Sequence, residues 1–259
     1  MNDDHFNDQP LVNALRSLLE AECPPALVRM YDAGGLQALL PQKLGKALAE
    51  SGFDQALLPE AQGGAGLNLS RAFPLFELCG RYLLPLPLPE QMLERALGSA
   101  PSLELTACLH AAQMAGALQK VLEMSLQYAN DRQQFGRPLA KFQAIQHQLA
   151  VMAEQVMAAR MAAQLGCLTS NLQPALMNAA VAKARANEAA VEVAALAHSI
   201  FGAIGFTAEH DLQLYTRRLY AWRQSAGTES YWHEVLGQAV LQAPQVLSLD
   251  ILQDITSPR

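Results

Sequence analysis

An all-α fold is predicted by three features of this 259-residue sequence. Alanine and leucine dominate while only 5 Ile and 6 Thr occur, a balance that favours helices over the β-branched surface of a sheet. No segment shows sustained period-two alternation. Apolar residues instead recur three and four apart, and Phe142, Ile145, Leu149, Met152, Val156, Ala159 and Ala163 trace one face of a long helix.

Taken in order, the first hundred residues contain helical patterns at roughly 10–22, 36–51, 71–84 and 89–98. Pro24-Pro25, Gly34-Gly35 and Gly63-Gly64 punctuate them, and they are expected to pack as a small helical domain over residues 1–100. Leu84–Pro89, LPLPLP, is expected to be stiff and extended because alternating prolines exclude helix, and Gly98–Pro101 makes a second break. Beyond Pro101 the helices lengthen, to 103–129, 141–166, 174–201 and about 227–242, the third Ala-rich and stopped at Gly202. Long helices with short connections predict an antiparallel four-helix bundle over residues 101–259. Its apolar stripes also suggest association, since a monomer would expose too much apolar surface.

A net charge of −6 and a pI of about 5.5 argue against nucleic acid or an anionic membrane surface as the main partner. The positive charges that matter are therefore local ones. Leu105–Gln119 reads as the longest weakly charged apolar stretch, too short and too rich in His and Gln to span a bilayer, so no membrane span is expected. The acidic start, MNDDHFNDQP, has no basic segment followed by an apolar one, which predicts a chain without a signal peptide, located in the cytoplasm. Cys23, Cys79, Cys108 and Cys167 lie far apart, fit no metal spacing and are expected to be buried thiols in a reducing compartment. His110, His147 and His198 show no metal spacing either, and no metal is assigned. His210 and Arg217-Arg218 are expected to make ion pairs on a helix face.

The most informative run is YANDRQQFGRPLAKFQAIQHQLAVM, residues 128–152. It predicts a helix, a tight connection at Gly136-Arg137-Pro138 and a second helix. Arg132 offers a fork of donors that matches two diphosphate oxygens at once, and Phe135 beside it is suited to cover a flat heterocycle. The plain alternative is a surface arginine and a core phenylalanine at an ordinary helix junction.

This run resembles the Y-x-x-x-R-x-Q-F-G…F-Q-x-I-Q signature of the acyl-CoA dehydrogenases, flavoproteins that desaturate acyl thioesters between Cα and Cβ. GAIGFTAEHDLQLYTRR at 202–218 resembles a second block of a bacterial branch of that family. LLPEAQGGAGLNLSRAFPLFELCGRYLLPLPLPE at 57–90 resembles its N-terminal helical domain. The three blocks stand in family order. The resemblance implies that a β-rich middle domain, which shields the flavin ring and much of the acyl chain in typical relatives, is missing, because the N-terminal block ends near residue 98 and the C-terminal one begins near 103.

The resemblance also implies residue roles. Arg132 matches the arginine that reaches the FAD diphosphate of a neighbouring subunit, Gln134 and Phe135 complete that wall, and Gln143 matches the glutamine after the turn. In the family's Q-x-x-G-G-x-G-[FY] stretch the glycines let the backbone approach the adenine half of FAD. Here Ser199 stands for the Gln and Ala203 for the second Gly, and Gly202 reads equally well as a helix C-terminal residue. The family's base is commonly the Glu of Y-E-G-T. The matching residues are Ser225-Ala226-Gly227-Thr228, so a methyl group replaces the carboxylate that would take the α-proton. Glu229 and Glu104 are the nearest substitutes, each with the alternative of a solvated glutamate in a helix first turn. Thr228 keeps the G-T pair and either bonds the flavin or serves as an N-cap.

These features point first to a subunit that lends Arg132, Gln134 and Phe135 to the FAD of a full-length acyl-CoA dehydrogenase-like partner. Acyl-CoA is then the substrate, an electron-transfer flavoprotein the acceptor, and unequal subunits resemble those of bacterial enzymes acting on steroid side chains. The alternatives are a helical scaffold that has lost FAD, and an autonomous homodimer using Glu104 or Glu229.

Overall fold

The computed structural model describes residues 9–32, 34, 40–242 and 256. Among them the fold is helical throughout, apart from one short hairpin. The N-terminal helices are α1 (Gln9–Glu22), α2 (Pro25–Asp32), α3 (Leu40–Ser51), α4 (Leu69–Arg81) and α5 (Leu88–Leu97). The long helix α6 (Leu103–Asp131) leads into strands β1 (Gln133–Gln134) and β2 (Arg137–Pro138). Helices α7 (Gln143–Gly166), α8 (Leu176–Phe201), α9 (Leu212–Gln224) and α10 (Glu229–Gln242) follow.

The expected helices are present with ends shifted by a few residues. Residues 36–39 of the expected 36–51 helix lie outside the described ones. Three elements are additions: α2, α9 and the hairpin. The LPLPLP run is not extended to its end, because α5 already starts at Leu88 with Pro89 in its first turn, where a missing N–H costs nothing. Helix α4 begins at an Asn68 cap whose side chain accepts from the Arg71 N–H at 2.9 Å, and it stops before Leu83, which sits at φ 49°.

Helices α6, α7 and α8 pack on one another, α10 lies along α8, and α4 covers another side of α6. Helix α6 is therefore surrounded, which is why nearly every side chain from Leu105 to Leu118 is buried and its pattern is apolar all round. The buried core runs without a break from Val12 in α1 to Trp222 in α9. A second small cluster joins Trp232 of α10 to Ala107, Ala180 and Ala184.

The crossing of α4 and α6 is backbone to backbone. A Cβ on Gly80 would lie 1.8 Å from the Gln113 carbonyl oxygen, and one on Gly116 would lie 1.9 Å from that of Glu77. Two bidentate ion pairs flank it, Arg81 on Glu123 at 2.7 and 2.8 Å and Arg160 on Glu77 at 2.5 and 3.2 Å.

By length and composition alone, Leu176–Phe206 would suffice to cross a membrane, with a mean hydropathy of 1.6, so Leu105–Gln119 is not the longest apolar run. Helix α8 is nonetheless packed against α6, α7, α9 and α10 and carries buried Lys183 and Asn187, the pattern of a core helix. All four cysteines are buried and unpaired, and burial raises each thiol above its ordinary value.

Of the expected helix-face ion pairs, one forms among the described residues, from Arg218. Arg218 reaches across to Asp32 of α2 at 3.4 Å, and Arg217 meets only the Gln213 amide at 3.5 Å. His210 precedes α9 and accepts from the Leu212 N–H at 3.1 Å, a local turn contact rather than a charge pair.

Because the α4–α6 crossing has no room for a methyl group, Gly80→Ala and Gly116→Ala are each expected to destabilise by about 3 kcal/mol or more. Urea unfolding measures it, with Gly98→Ala, where a Cβ meets nothing within 4 Å, as the milder control.

Candidate functional site

Helix α6 ends at Asp131, and the chain turns back on itself within seven residues. Gln133 pairs with Pro138 and Gln134 with Arg137, leaving Phe135 and Gly136 as the two turn residues at φ 51° and 76°. Such a tight turn needs two left-handed residues and normally takes Asn-Gly or Gly-Gly. A phenylalanine there costs about 1–2 kcal/mol of backbone strain. Its side chain gains little in return, being 91% exposed, with its ring edge-on to Phe142 at 6.2 Å. Arg137 stacks over Phe142 at 4.1 Å. Arg132, Gln134 and Gln143 are all exposed, and no described carboxylate pairs with the Arg132 guanidinium.

The far end of α8 reaches the same place. Tyr128, one turn before Arg132, stacks on Phe201 at 4.3 Å and donates to its carbonyl at 3.4 Å. Gly202 follows at φ 64° and ψ −143°, a conformation essentially reserved for glycine, with open space where a Cβ would point. Ser199 accepts from Gln148 Nε2 at 3.2 Å, and exposed Phe206 stacks on His198 at 4.2 Å. One end of the bundle thus collects Arg132, Gln134, Phe135, Gln143, Ser199 and Gly202.

The turn between α9 and α10 lies elsewhere. Its floor is Lys183 of α8, which is about 24 Å along the helix axis from Ser199 at 1.5 Å per residue. Ala226 and Gly227 sit at φ 54° and 93°, and the Ala226 carbonyl accepts from Trp232 Nε1 at 2.9 Å. Thr228 Oγ1 accepts from the Tyr231 N–H at 3.4 Å, which makes it the cap of α10. Glu229 is paired with Arg223, whose Nε lies 3.1 Å from a carboxylate oxygen, and that hydrogen bond holds the carboxyl below the ordinary range. Glu104 is half-buried in the first turn of α6, about 42 Å along that helix from Arg132.

The family model for the acyl-CoA dehydrogenase C-terminal domain matches residues 100–241, more than half of the chain. This chain belongs to the acyl-CoA dehydrogenase family. Among curated relatives, acyl-CoA dehydrogenase IpdE2 of Mycolicibacterium smegmatis is 37% identical over 124 residues, 48% of this chain and 39% of that protein. The short-chain-specific acyl-CoA dehydrogenase of Megasphaera elsdenii is 34% identical over 133 residues, 51% of this chain and 35% of its own length. The chain thus spans between a third and two fifths of the length of these two relatives. Among solved structures, the ChsE4–ChsE5 complex from Mycobacterium tuberculosis contains a chain of the same fold, with a TM-score of 0.80 over 94% of this chain and 99% of that one at 15% identity.

Against this family the departures are concrete. Residues 98–102 join α5 directly to α6, and the two-residue hairpin is the only sheet among the described residues, so no β domain separates the helical parts. Ala226 stands where the family resemblance places a carboxylate, and neither Glu229 nor Glu104 is near the Arg132 end.

Sequence reasoning passed over Lys183 and saw in His110 only the lack of a metal spacing, and both are buried under the α9–α10 turn. The signal was present for Lys183, a lone charge in phase with Ala179, Ala186 and Ala190 on an otherwise alanine face. His110 is pushed down to about 4, first by burial and then by Lys183, with the Ser225 carbonyl opposing. Unfolding restores its ordinary value near 6.5, so the unfolded chain binds the additional proton between those two values. Stability therefore rises with pH across that window and is lost on acidification, and His198 and His210, also lowered by burial, act in the same sense. Urea unfolding over that range is expected to show the rise, with His110→Gln flattening it; a slope that the substitution leaves unchanged contradicts a neutral buried imidazole.

Proposed function

We propose that this chain is a subunit of a heteromeric FAD-dependent acyl-CoA dehydrogenase and completes the flavin site of a full-length partner without supplying the base. The observation that carries this reading is the hairpin tip. Among the described residues the strained and exposed Phe135 has only an edge-on ring contact and no carboxylate pairs with Arg132 beside it, and such strain persists where a ligand or partner uses it.

Arg132, Gln134, Phe135 and Gln143 fit the diphosphate side of FAD. A guanidinium grips two oxygens in parallel, amides donate beside it, and the phenyl ring closes the wall. Gly202, with its open backbone, and Ser199 lie at the same end and would meet the remainder of the cofactor. Bound FAD supplies the acceptor for the hydride leaving Cβ. The α-proton needs a carboxylate near working pH, which Ala226 cannot be and which Glu229, held low by Arg223, is poorly suited to be. The base, the ring-shielding β domain and most of the acyl pocket then come from the partner subunit, with an electron-transfer flavoprotein as final acceptor. On this reading residues 1–100 are the N-terminal helical part and residues 101–259 the bundle whose far end faces the flavin. The shared fold with chains of the ChsE4–ChsE5 complex and of the Tcur3481–Tcur3483 steroid enzyme supports unequal subunits and makes steroid-linked acyl thioesters the first substrates to try.

A scaffold that has lost FAD is favoured by two observations, the Gln148 amide already occupying Ser199 and Thr228 already spent as a cap. Purifying the chain alone and with the acyl-CoA dehydrogenase encoded beside it separates the readings by visible flavin absorbance. Flavin is expected only in the co-purified complex, and Arg132→Ala is expected to weaken its retention by about 10- to 100-fold, the worth of charge-assisted hydrogen bonds. Absence of flavin from both samples favours the scaffold. Flavin and turnover in the isolated chain favour an autonomous enzyme, whose base Glu104→Gln and Glu229→Gln would locate.

A further inference from the structure

Lys183 is fully buried, with 0% of its surface exposed, and no described carboxylate lies within ion-pair distance of its ammonium. Its Nζ donates instead to oxygens: Asn187 Oδ1 at 2.6 Å and the carbonyls of Trp222 at 3.0 Å, Gly227 at 3.1 Å and Arg223 at 3.4 Å. Trp222 and Arg223 are in the last turn of α9, whose carbonyls carry the negative end of the helix dipole, and that of Trp222 also accepts from the Ser225 N–H at 3.2 Å. A helix end of this kind is ordinarily closed by water or a surface side chain. Here it is closed from inside the core, by a residue on a different helix.

The same group reaches across the connection. Gly227 belongs to the turn into α10, and its carbonyl takes a second bond from Asn187 Nδ2 at 3.2 Å. Gly227 itself has no room for a side chain, since a Cβ there would lie 2.5 Å from Trp232 Nε1. Trp232 in turn donates to the Ala226 carbonyl and fills the cluster that fastens α10 to Ala107, Ala180 and Ala184. Ala226 holds a left-handed conformation that alanine does not favour, so the turn needs outside restraint to keep its shape.

We propose that Lys183 is the positioning residue of the α9–α10 joint: by donating from the interior to both sides of the turn it sets the pose of α10 on the bundle. This inference is independent of the flavin reading, because it concerns a place about 24 Å from the Ser199 end. The charged and titratable groups facing Lys183 are His110 from α6, Arg223 from α9 and Glu229 from α10. Burial pushes the amine down to about 7, Arg223 adding to the fall and Glu229 opposing it. The unfolded chain, with an ordinary value near 10.5, therefore holds one more proton between about 7 and 10.5. Stability contributed at this site rises with pH through that window and is lost as pH falls back through it.

Hydrogen exchange and urea unfolding of Lys183→Met, which keeps the stem and removes the donor, test the assignment. Amides of residues 225–232 are expected to exchange about tenfold faster or more, the equivalent of one charge-assisted hydrogen bond. Protection in α6 and α7 is expected to stay near wild type, and the rise in stability between pH 7 and 9.0, below the range in which the four buried thiols oppose it, is expected to disappear. Unchanged protection at 225–232, uniform loss across the bundle, or a persisting pH rise overturns the proposal. Should that variant not fold, Asn187→Ala removes one link to the joint and the nearest partner of the Lys183 amine while leaving the amine. It is expected to loosen the same amides with the pH rise intact, and unchanged exchange there overturns the proposal equally.

Discussion

Helix α6 is the spine on which everything else is hung, and the constraint that fixes it is the glycine crossing with α4. Gly80 and Gly116 let the two backbones meet with no intervening side chain, a geometry that tolerates no slippage. The crossing lies near the middle of a helix about 43 Å long. Toward one end α6 meets Trp232 and the α9–α10 joint through Ala107 and His110. At the other it delivers Arg132 and the hairpin. Holding the centre therefore sets the distance and bearing of two separate functional regions.

Both regions contain a non-glycine residue in the left-handed region, and the two are restrained in opposite ways. Ala226 is surrounded by bonds that justify its strain: Trp232 on its carbonyl, and Lys183 and Asn187 on the next. Phe135 has no such enclosure, only an edge contact with Phe142. Strain inside a network of satisfied hydrogen bonds is structural. Strain at an exposed aromatic tip has no such support within the described residues and is the feature on which the proposed shared site rests.

The long helices were legible because each buries a stripe with a spacing of three and four, and the absence of a middle domain was legible from the few residues between Leu97 and Leu103. Other features were not. Two-residue strands carry no alternation, so the hairpin at 133–138 was visible only as a turn, and the strained φ of Phe135 left no trace in residue type. Helix α9 was hidden by its polar run, TAEHDLQLYTRR, in which buried Leu212, Leu214, Tyr215 and Thr216 stand among charged and amide side chains. Glu229 looked available as a base because its partner, Arg223, stands on the far side of the turn that brings them together. Of the residues that the resemblance singles out for a cofactor, six lie at one end of the bundle, while Thr228 belongs to the α9–α10 joint, since G-T spacing alone does not tell a cofactor contact from a helix cap.

A flavin site divided between two chains has a direct thermodynamic signature. Equilibrium dialysis of FAD against the separately purified partner dehydrogenase, with and without this chain in excess, measures it. FAD affinity is expected to tighten by about 10- to 100-fold when the wild-type chain is added and not when Arg132→Ala is added. An affinity that the chain leaves unchanged, or that Arg132→Ala raises as much as the wild type does, would contradict a shared site.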